Sequence, residues 1–301
     1  MEQLKQLLTA AGIAYKENEP LAAHSTFKIG GPARLFVQPV DHAQLCRTVA
    51  LCKAQSARYY LLGNGSNILF ADEGYNGVVL DISSMQDTVE VHGTQLTAGA
   101  GVRLSALCKT ALEHSLTGLE FAYGIPGSVG GAVYMNAGAY GGEMKDRLLW
   151  VEYLAPTGEI VRLEGEQMGL SYRHSRFMEE GMEGSCIVRA AFGLQRGEKA
   201  AIQSEMDRIL NQRRQKQPLE YPSAGSTFKR PQGTFAAQLI DECGLKGFTV
   251  GGAQVSEKHA GFVINTGKAT CADVLELTRQ VRECVQEKTG YLLELEVRQL
   301  P

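Results

Sequence analysis

The chain has 301 residues, 44% of them hydrophobic, which is enough for more than one core and excludes disorder along its whole length. Lys and Arg number 30 against 33 Asp and Glu, and a net charge of −3 argues against a protein that coats a polyanion. Glycine is the outlier: there are 34, where average usage would give about 21.

Leu4, Leu7, Leu8 and Ala11 recur at helical spacing among polar residues, so the N-terminus reads as an amphipathic helix rather than a secretory leader. Residues 34–39 alternate like a strand, Asp41 can cap a helix with Leu45, Val49 and Cys52 on one face, and 59–62 reads as a second strand. Residues 33–62 therefore resemble a βαβ unit. Short strands are expected at 77–82 and 88–98, then a helix over 102–114 with Leu104, Leu107, Ala111 and Leu112 inward. A glycine-dense loop over 118–142 and further strands through Phe192 follow. Ile202, Met206, Ile209 and Leu210 stripe a charged helix over 198–216 that Pro218 ends, and a domain boundary is expected just before it. Thr270 with Asp273 is a capping-box signature for a last helix, which Gly290 closes. Residues 291–300 alternate, with Leu293, Leu295 and Val297 on one face and Glu294, Glu296 and Arg298 on the other. The class is α+β, in at least two parts.

Other chemistries find little support. The seven cysteines include no C-x-x-C pair and the six histidines no H-x-x-x-H pair, so neither a disulfide framework nor a metal site is expected. Reduced thiols fit a cytoplasmic protein, and no window is apolar enough for a membrane span. A small-molecule partner is expected, with no nucleic acid and no membrane.

Two glycine motifs point to a ligand. Gly63-Asn64-Gly65-Ser66-Asn67 follows a strand, and successive N–H groups in such a turn can form an anion-binding nest to which Ser66 and Asn67 add donors. A glycine-rich β-turn is the structural alternative. It is not a dinucleotide fingerprint, because Ile68 occupies the place of the third glycine, and Gly267-Lys268-Ala269 is not a P-loop. The second motif is longer: Tyr123-Gly124-Ile125-Pro126-Gly127-Ser128-Val129-Gly130-Gly131-Ala132, continued by Asn136-Ala137-Gly138 and the residues to Gly142. Eight of the 34 glycines lie between 118 and 142. Peptide groups without Cβ atoms let a flat ring or a pyrophosphate lie against them, and a mere linker would not interleave Ile, Pro, Val, Met and aromatic residues.

The order of segments 25–33 (STFKIGGPA), 61–69 (LLGNGSNIL), 121–143 (FAYGIPGSVGGAVYMNAGAYGGE), 171–177 (SYRHSRF), 224–231 (AGSTFKRP) and 293–298 (LELEVR) resembles the UDP-N-acetylenolpyruvoylglucosamine reductases, in their shorter subgroup. The resemblance covers nearly the whole chain. It implies two FAD-binding subdomains of the vanillyl-alcohol-oxidase type at 1–80 and 81–194, and a C-terminal α+β substrate domain at 195–301. NADPH would be the hydride donor, and the enolpyruvyl group of UDP-N-acetylglucosamine enolpyruvate the acceptor, yielding UDP-N-acetylmuramate for peptidoglycan.

The resemblance also implies roles. Ser226 would give a proton to C2 of the substrate, and Arg173 and Glu296 would stabilise the developing enolate. FAD would lie on Gly63, Asn64, Gly65, Ser66 and Asn67, on Tyr123, Gly124, Ile125, Pro126, Gly127, Ser128, Gly130, Gly131, Ala132, Asn136 and Gly138, and beside Arg298. Lys229 and Arg230, with Arg214, would meet the diphosphate. From the residues alone Ser226 also reads as a turn serine, Arg173 as a surface arginine and Glu296 as a solvated strand charge. Leu295 stands where many members have proline. An FAD oxidase of a small alcohol on the same fold, and a nucleotide-sugar-binding protein without catalysis, remain the alternatives.

Overall fold

A computed structural model describes residues 1–85 and 88–301. The chain folds into two compact units. The first comprises residues 1–17, 35–64 and 77–212, and the second 18–34, 65–76 and 213–301.

The first unit holds helix α1 (Glu2–Ala10) and helix α2 (His42–Ala54), whose N-cap Asp41 accepts a hydrogen bond from the Gln44 N–H at 2.7 Å. Its first sheet has the strand order Tyr15–Pro20, Pro32–Val37, Tyr75–Asp81, Tyr59–Leu62. The last strand runs parallel to its neighbour, Tyr59 opposite Val78. The two strands of the expected βαβ unit are thus not adjacent, because Tyr75–Asp81 lies between them.

The second sheet of this unit is five-stranded, in the order Ile160–Glu164, Leu148–Leu154, Cys186–Gly193, Gln95–Gly99, Val89–His92, with antiparallel pairs throughout. Helix α3 (Leu104–Glu113) buries Leu104, Leu107, Ala111 and Leu112, the predicted face. Helix α4 (Val129–Tyr134) lies inside the stretch expected to be loop. Two glycines weaken a helix intrinsically, but Ser128 caps it and the Gly130 N–H donates to the Ala100 carbonyl at 2.9 Å. Helix α5 (Lys199–Lys216) begins here as well: Ile202 and Met206 belong to the same apolar core as Leu104 and Phe192. That packing is why the unit extends to Gln212 rather than stopping near 194.

The second unit is built on helix α6 (Ala236–Glu242), helix α7 (Cys271–Thr289) and the sheet Ser223–Ser226, Phe262–Asn265, Ala253–Val255, Thr249–Val250. Phe27, Ile29 and Leu69 share its core with Val274, Leu277 and Val281, so the early segments 18–34 and 65–76 are integral to it. The predicted capping box is present: Thr270 Oγ1 accepts from the Asp273 N–H, and Asp273 Oδ2 accepts from the Thr270 N–H, both at 3.0 Å. Asp72 adds acceptors for the Cys271 and Ala272 N–H groups at 2.7 and 3.0 Å, and Gly290 ends α7 at φ +78°. Caps of this kind contribute about 1 kcal/mol each. The C-terminal alternation is real in its burial, with Leu293 and Val297 inside, but the expected continuous strand is broken. Only an isolated bridge from Leu295 to Phe228 forms, before Arg298–Leu300 pairs in parallel with Ile68–Phe70.

Candidate active site

In the first unit Gly63 and Asn64, the start of the first glycine motif, meet the second. Asn64 Nδ2 donates to the Pro126 carbonyl at 2.6 Å, and a Cβ on Gly63 would stand 2.4 Å from Ser128 Oγ. Gly63 is therefore required by close approach rather than by a turn. Gly130 is likewise a packing glycine, since its Cβ would lie 2.9 Å from that of Ala100. Gly127 and Gly131 differ. A Cβ on either would meet nothing closer than 3.6 and 3.4 Å respectively, and neither has a positive φ. Nothing in the fold requires glycine there, so bare peptide at these two positions fits a ligand resting on the backbone. FAD suits this surface, with Tyr123, Gly124, Ile125 and Pro126 leading into it; Gly124 and Ala132 are buried.

Arg173 stands on the hairpin turn Ser171–His174, in which the Ser171 and His174 N–H groups donate to each other's carbonyls at 3.1 Å. Its own φ is +53°, a left-handed conformation disfavoured for a residue with a Cβ. The half-buried guanidinium donates to the Gly138 carbonyl at 3.1 Å and lies 5.1 Å from the centre of the Tyr172 ring. Asn136, expected among the flavin contacts, has a wholly buried side chain whose amide is engaged within the protein.

In the second unit the segments that carry Ser226 and Glu296 pair with each other. Phe228 bridges Leu295, the Glu296 N–H donates to the Thr227 carbonyl at 2.8 Å, and the Lys229 N–H donates to the Glu294 carbonyl at 2.8 Å. This pairing sets Glu296 across from the residue after Ser226. Ser226 is exposed and Glu296 half-buried. Thr227 anchors the pair from beneath, its buried Oγ1 accepting from the Val263 N–H at 2.9 Å. Asn67 Nδ2 donates to the Glu296 carbonyl at 3.2 Å and the Asn67 carbonyl accepts from the Arg298 N–H at 3.1 Å, so Asn67 and Arg298 are brought to the same strand end. Gly65, at φ +60° with its would-be Cβ 2.1 Å from the His24 carbonyl oxygen, tolerates no side chain, while Ser66 beside it is half-buried.

The three expected diphosphate cations have different neighbours within the protein. Lys229 pairs with Glu294 at 3.2 Å, and exposed Arg230 stacks 4.5 Å over the Phe235 ring. Exposed Arg214, near the end of α5, offers its carbonyl to Lys258 Nζ at 2.9 Å. Lys258 and the adjacent His259 were not singled out by sequence, which offered only an ordinary polar tetrad. His259 Nδ1 accepts from the Gly261 N–H at 3.2 Å, and Gly261 in turn accepts from the Thr227 N–H at 2.9 Å. Burial holds the His259 imidazole below its ordinary range, with Lys246 and Lys216 acting in the same direction. Folding thus disfavours the imidazolium, and stability is lost as the pH falls below about 6.5, where the unfolded chain takes the proton first. The urea midpoint is expected to fall further between pH 7.5 and pH 5.5 for the wild type than for His259→Gln; equal falls would contradict this.

Residues 217–300 match the family described as UDP-N-acetylenolpyruvoylglucosamine reductase, C-terminal domain, and residues 33–164 match an FAD binding domain. A UDP-N-acetylenolpyruvoylglucosamine reductase of Caldanaerobacter subterraneus subsp. tengcongensis is 44% identical over 298 residues, covering 99% of this chain and 97% of the relative. This chain belongs to that reductase family. A relative of the same name from Limosilactobacillus fermentum is 46% identical, with 98% of both chains covered. The crystal structure of the Thermus caldophilus UDP-N-acetylenolpyruvylglucosamine reductase superposes with a TM-score of 0.80 at 37% identity, covering 96% of this chain and 99% of that one. The protein is accordingly an FAD-dependent oxidoreductase of α+β class, in a family that uses NADPH as reductant. No helix among the described residues is long and apolar enough to cross a membrane.

Proposed function

We propose that the protein reduces the enolpyruvyl group of UDP-N-acetylglucosamine enolpyruvate to UDP-N-acetylmuramate, with Ser226, Arg173 and Glu296 as its reacting groups. The observation that carries this assignment is the strand pairing that holds Glu296 opposite the residue following an exposed Ser226. FAD, held on the two glycine motifs, would supply the hydride that NADPH provides, to C3 of the enolpyruvyl group. The negative charge that develops at C2 and the carboxylate needs fixed positive charge and donors, and preorganised electrostatics of this kind is usually the largest contribution to catalysis.

Arg173 supplies the charge. Its planar fork suits a carboxylate turning into an enolate, and the turn that holds it is closed by backbone hydrogen bonds. Ser226 donates its hydroxyl proton to C2. A neutral hydroxyl is a weak acid, but it suffices for an acceptor as basic as an enolate carbon. Glu296, tied through both its N–H and its carbonyl, assists in stabilising the intermediate. The FAD contacts fall on Gly63 to Asn67 and Tyr123 to Ala132, with Gly138 and Arg298. Lys229 and Arg230 meet the diphosphate, and Lys229 exchanges Glu294 for phosphate oxygens. A nucleotide-linked substrate and NADPH are both cytoplasmic pools, and the protein works there.

An alcohol oxidase on the same fold would have no use for the Ser226–Glu296 pair. The two readings separate in one assay. Without air, the purified protein with FAD should turn over excess NADPH continuously only when the enolpyruvyl substrate is added, with one UDP-N-acetylmuramate formed per NADPH. Oxygen consumption with a small alcohol, and none of that product, would overturn the assignment.

A further inference from the structure

Asn136 follows α4 by two residues, sits at φ +39° and is 0% exposed. Asparagine is one of the few residues with a side chain that tolerates this left-handed conformation. Its amide makes three hydrogen bonds, both N–H donors being used. Nδ2 donates to the Ser171 carbonyl at 2.8 Å and to Glu143 Oε2 at 3.1 Å, while Oδ1 accepts from the Lys145 N–H at 2.9 Å. The orientation of the amide is settled by these partners, because a carbonyl can only accept and a backbone N–H can only donate.

These bonds belong to a larger pattern. The segment 134–138 reaches the arginine turn at three alternate residues. Ser175 Oγ donates to the Tyr134 carbonyl at 2.7 Å, Asn136 Nδ2 to the Ser171 carbonyl, and the Arg173 guanidinium to the Gly138 carbonyl. Ser175 is itself fully buried. The first residue of the turn, the residue that follows it and the side chain at its tip are thus all fastened to one short stretch of the chain. A flavin contact through the Asn136 side chain would need an amide atom facing outward, and there is none.

We propose that Asn136 is a positioning residue for Arg173, seconded by Ser175, and makes no side-chain contact with the flavin. The inference rests on the role given to Arg173 above. A cation that must meet a charge appearing only during reaction is sensitive to placement, and a misplacement of about 1 Å costs on the order of 100-fold. Asn136 therefore affects the step in which charge develops on the substrate, and leaves cofactor binding alone.

The test uses the FAD-loaded enzyme in stopped flow, with NADPH for reduction and UDP-N-acetylglucosamine enolpyruvate for reoxidation. Asn136→Gly keeps the backbone conformation accessible and removes the amide. It should slow reoxidation by about 10- to 100-fold, while flavin reduction and the FAD dissociation constant stay within about twofold of wild type. Hydrogen exchange of the Ser171 and His174 amides should rise. In an Arg173→Ala background the same change should add no more than about twofold, since a residue acting through another loses its effect when that other is gone.

If Asn136→Gly does not fold, Ser175→Ala should slow the same step severalfold, again only when Arg173 is present. Weakened FAD binding, or equal slowing with and without Arg173, would overturn the proposal. Reoxidation of Arg173→Ala at the wild-type rate would instead overturn the role of Arg173 itself, and this inference with it.

Discussion

Ser226→Ala should still turn from yellow to bleached when NADPH is added, yet form UDP-N-acetylmuramate about 100- to 10,000-fold more slowly, the range that a positioned general acid contributes. The two half-reactions make this separation possible. Reduction of the flavin does not involve the serine hydroxyl, so its rate should be unchanged. Protonation at C2 does, so the substrate-dependent reoxidation takes the whole loss. Ser226 is exposed and sits at the end of a strand whose next residue, Thr227, provides the buried anchor, so removing its hydroxyl should leave the unfolding midpoint within error. Product formation near the wild-type rate would show that another group delivers the proton.

Arg173 gives the second large effect. Arg173→Lys keeps the charge but loses the fork, and reoxidation by substrate should slow by about 100- to 1,000-fold, the loss seen when one preorganised stabiliser of developing negative charge is removed. Arg173→Gly offers an internal control. The backbone here holds φ +53°, a conformation costing roughly 1 kcal/mol for a residue with a Cβ and little for glycine. The glycine variant should therefore unfold at the same urea concentration as wild type or higher, although it turns over no better than the lysine variant. Activity lost without stability lost marks a residue retained for chemistry. A glycine variant with both lowered stability and unimpaired reoxidation would place Arg173 among purely structural residues.

The sequence revealed those elements whose determinants are local. The Asp41 cap, the Thr270–Asp273 box and the Gly290 stop lie where spacing places them, because a cap needs only residues three or four apart. The apolar faces of α3 and α7 follow from helical periodicity. Helix α4 was hidden because its stability comes from distant Ala100 and not from Gly130 and Gly131 themselves. The composition of the second unit was hidden for a similar reason: Phe27, Ile29 and Leu69 look like any early apolar residues until the core they enter is seen.

At the site, motif order identified the family, and the glycine excess pointed to the surface proposed for the cofactor. What each glycine does was not readable. Gly63 and Gly130 are required by contacts with Ser128 and Ala100, Gly65 by its φ and by His24, and Gly127 and Gly131 by nothing in the fold. Asn136 was grouped with the flavin contacts because it lies in their motif, whereas its hydrogen bonds tie it to the turn that carries Arg173.

One spectroscopic experiment bears on the whole account. The absorbance spectrum of the purified, FAD-loaded protein is recorded, then recorded again without air after one equivalent of NADPH, and once more after one equivalent of UDP-N-acetylglucosamine enolpyruvate. The oxidised flavin bands should be present, disappear with NADPH and return in full with the substrate. A protein that takes up no FAD, or a reduced flavin that the enolpyruvyl substrate fails to reoxidise, would contradict it.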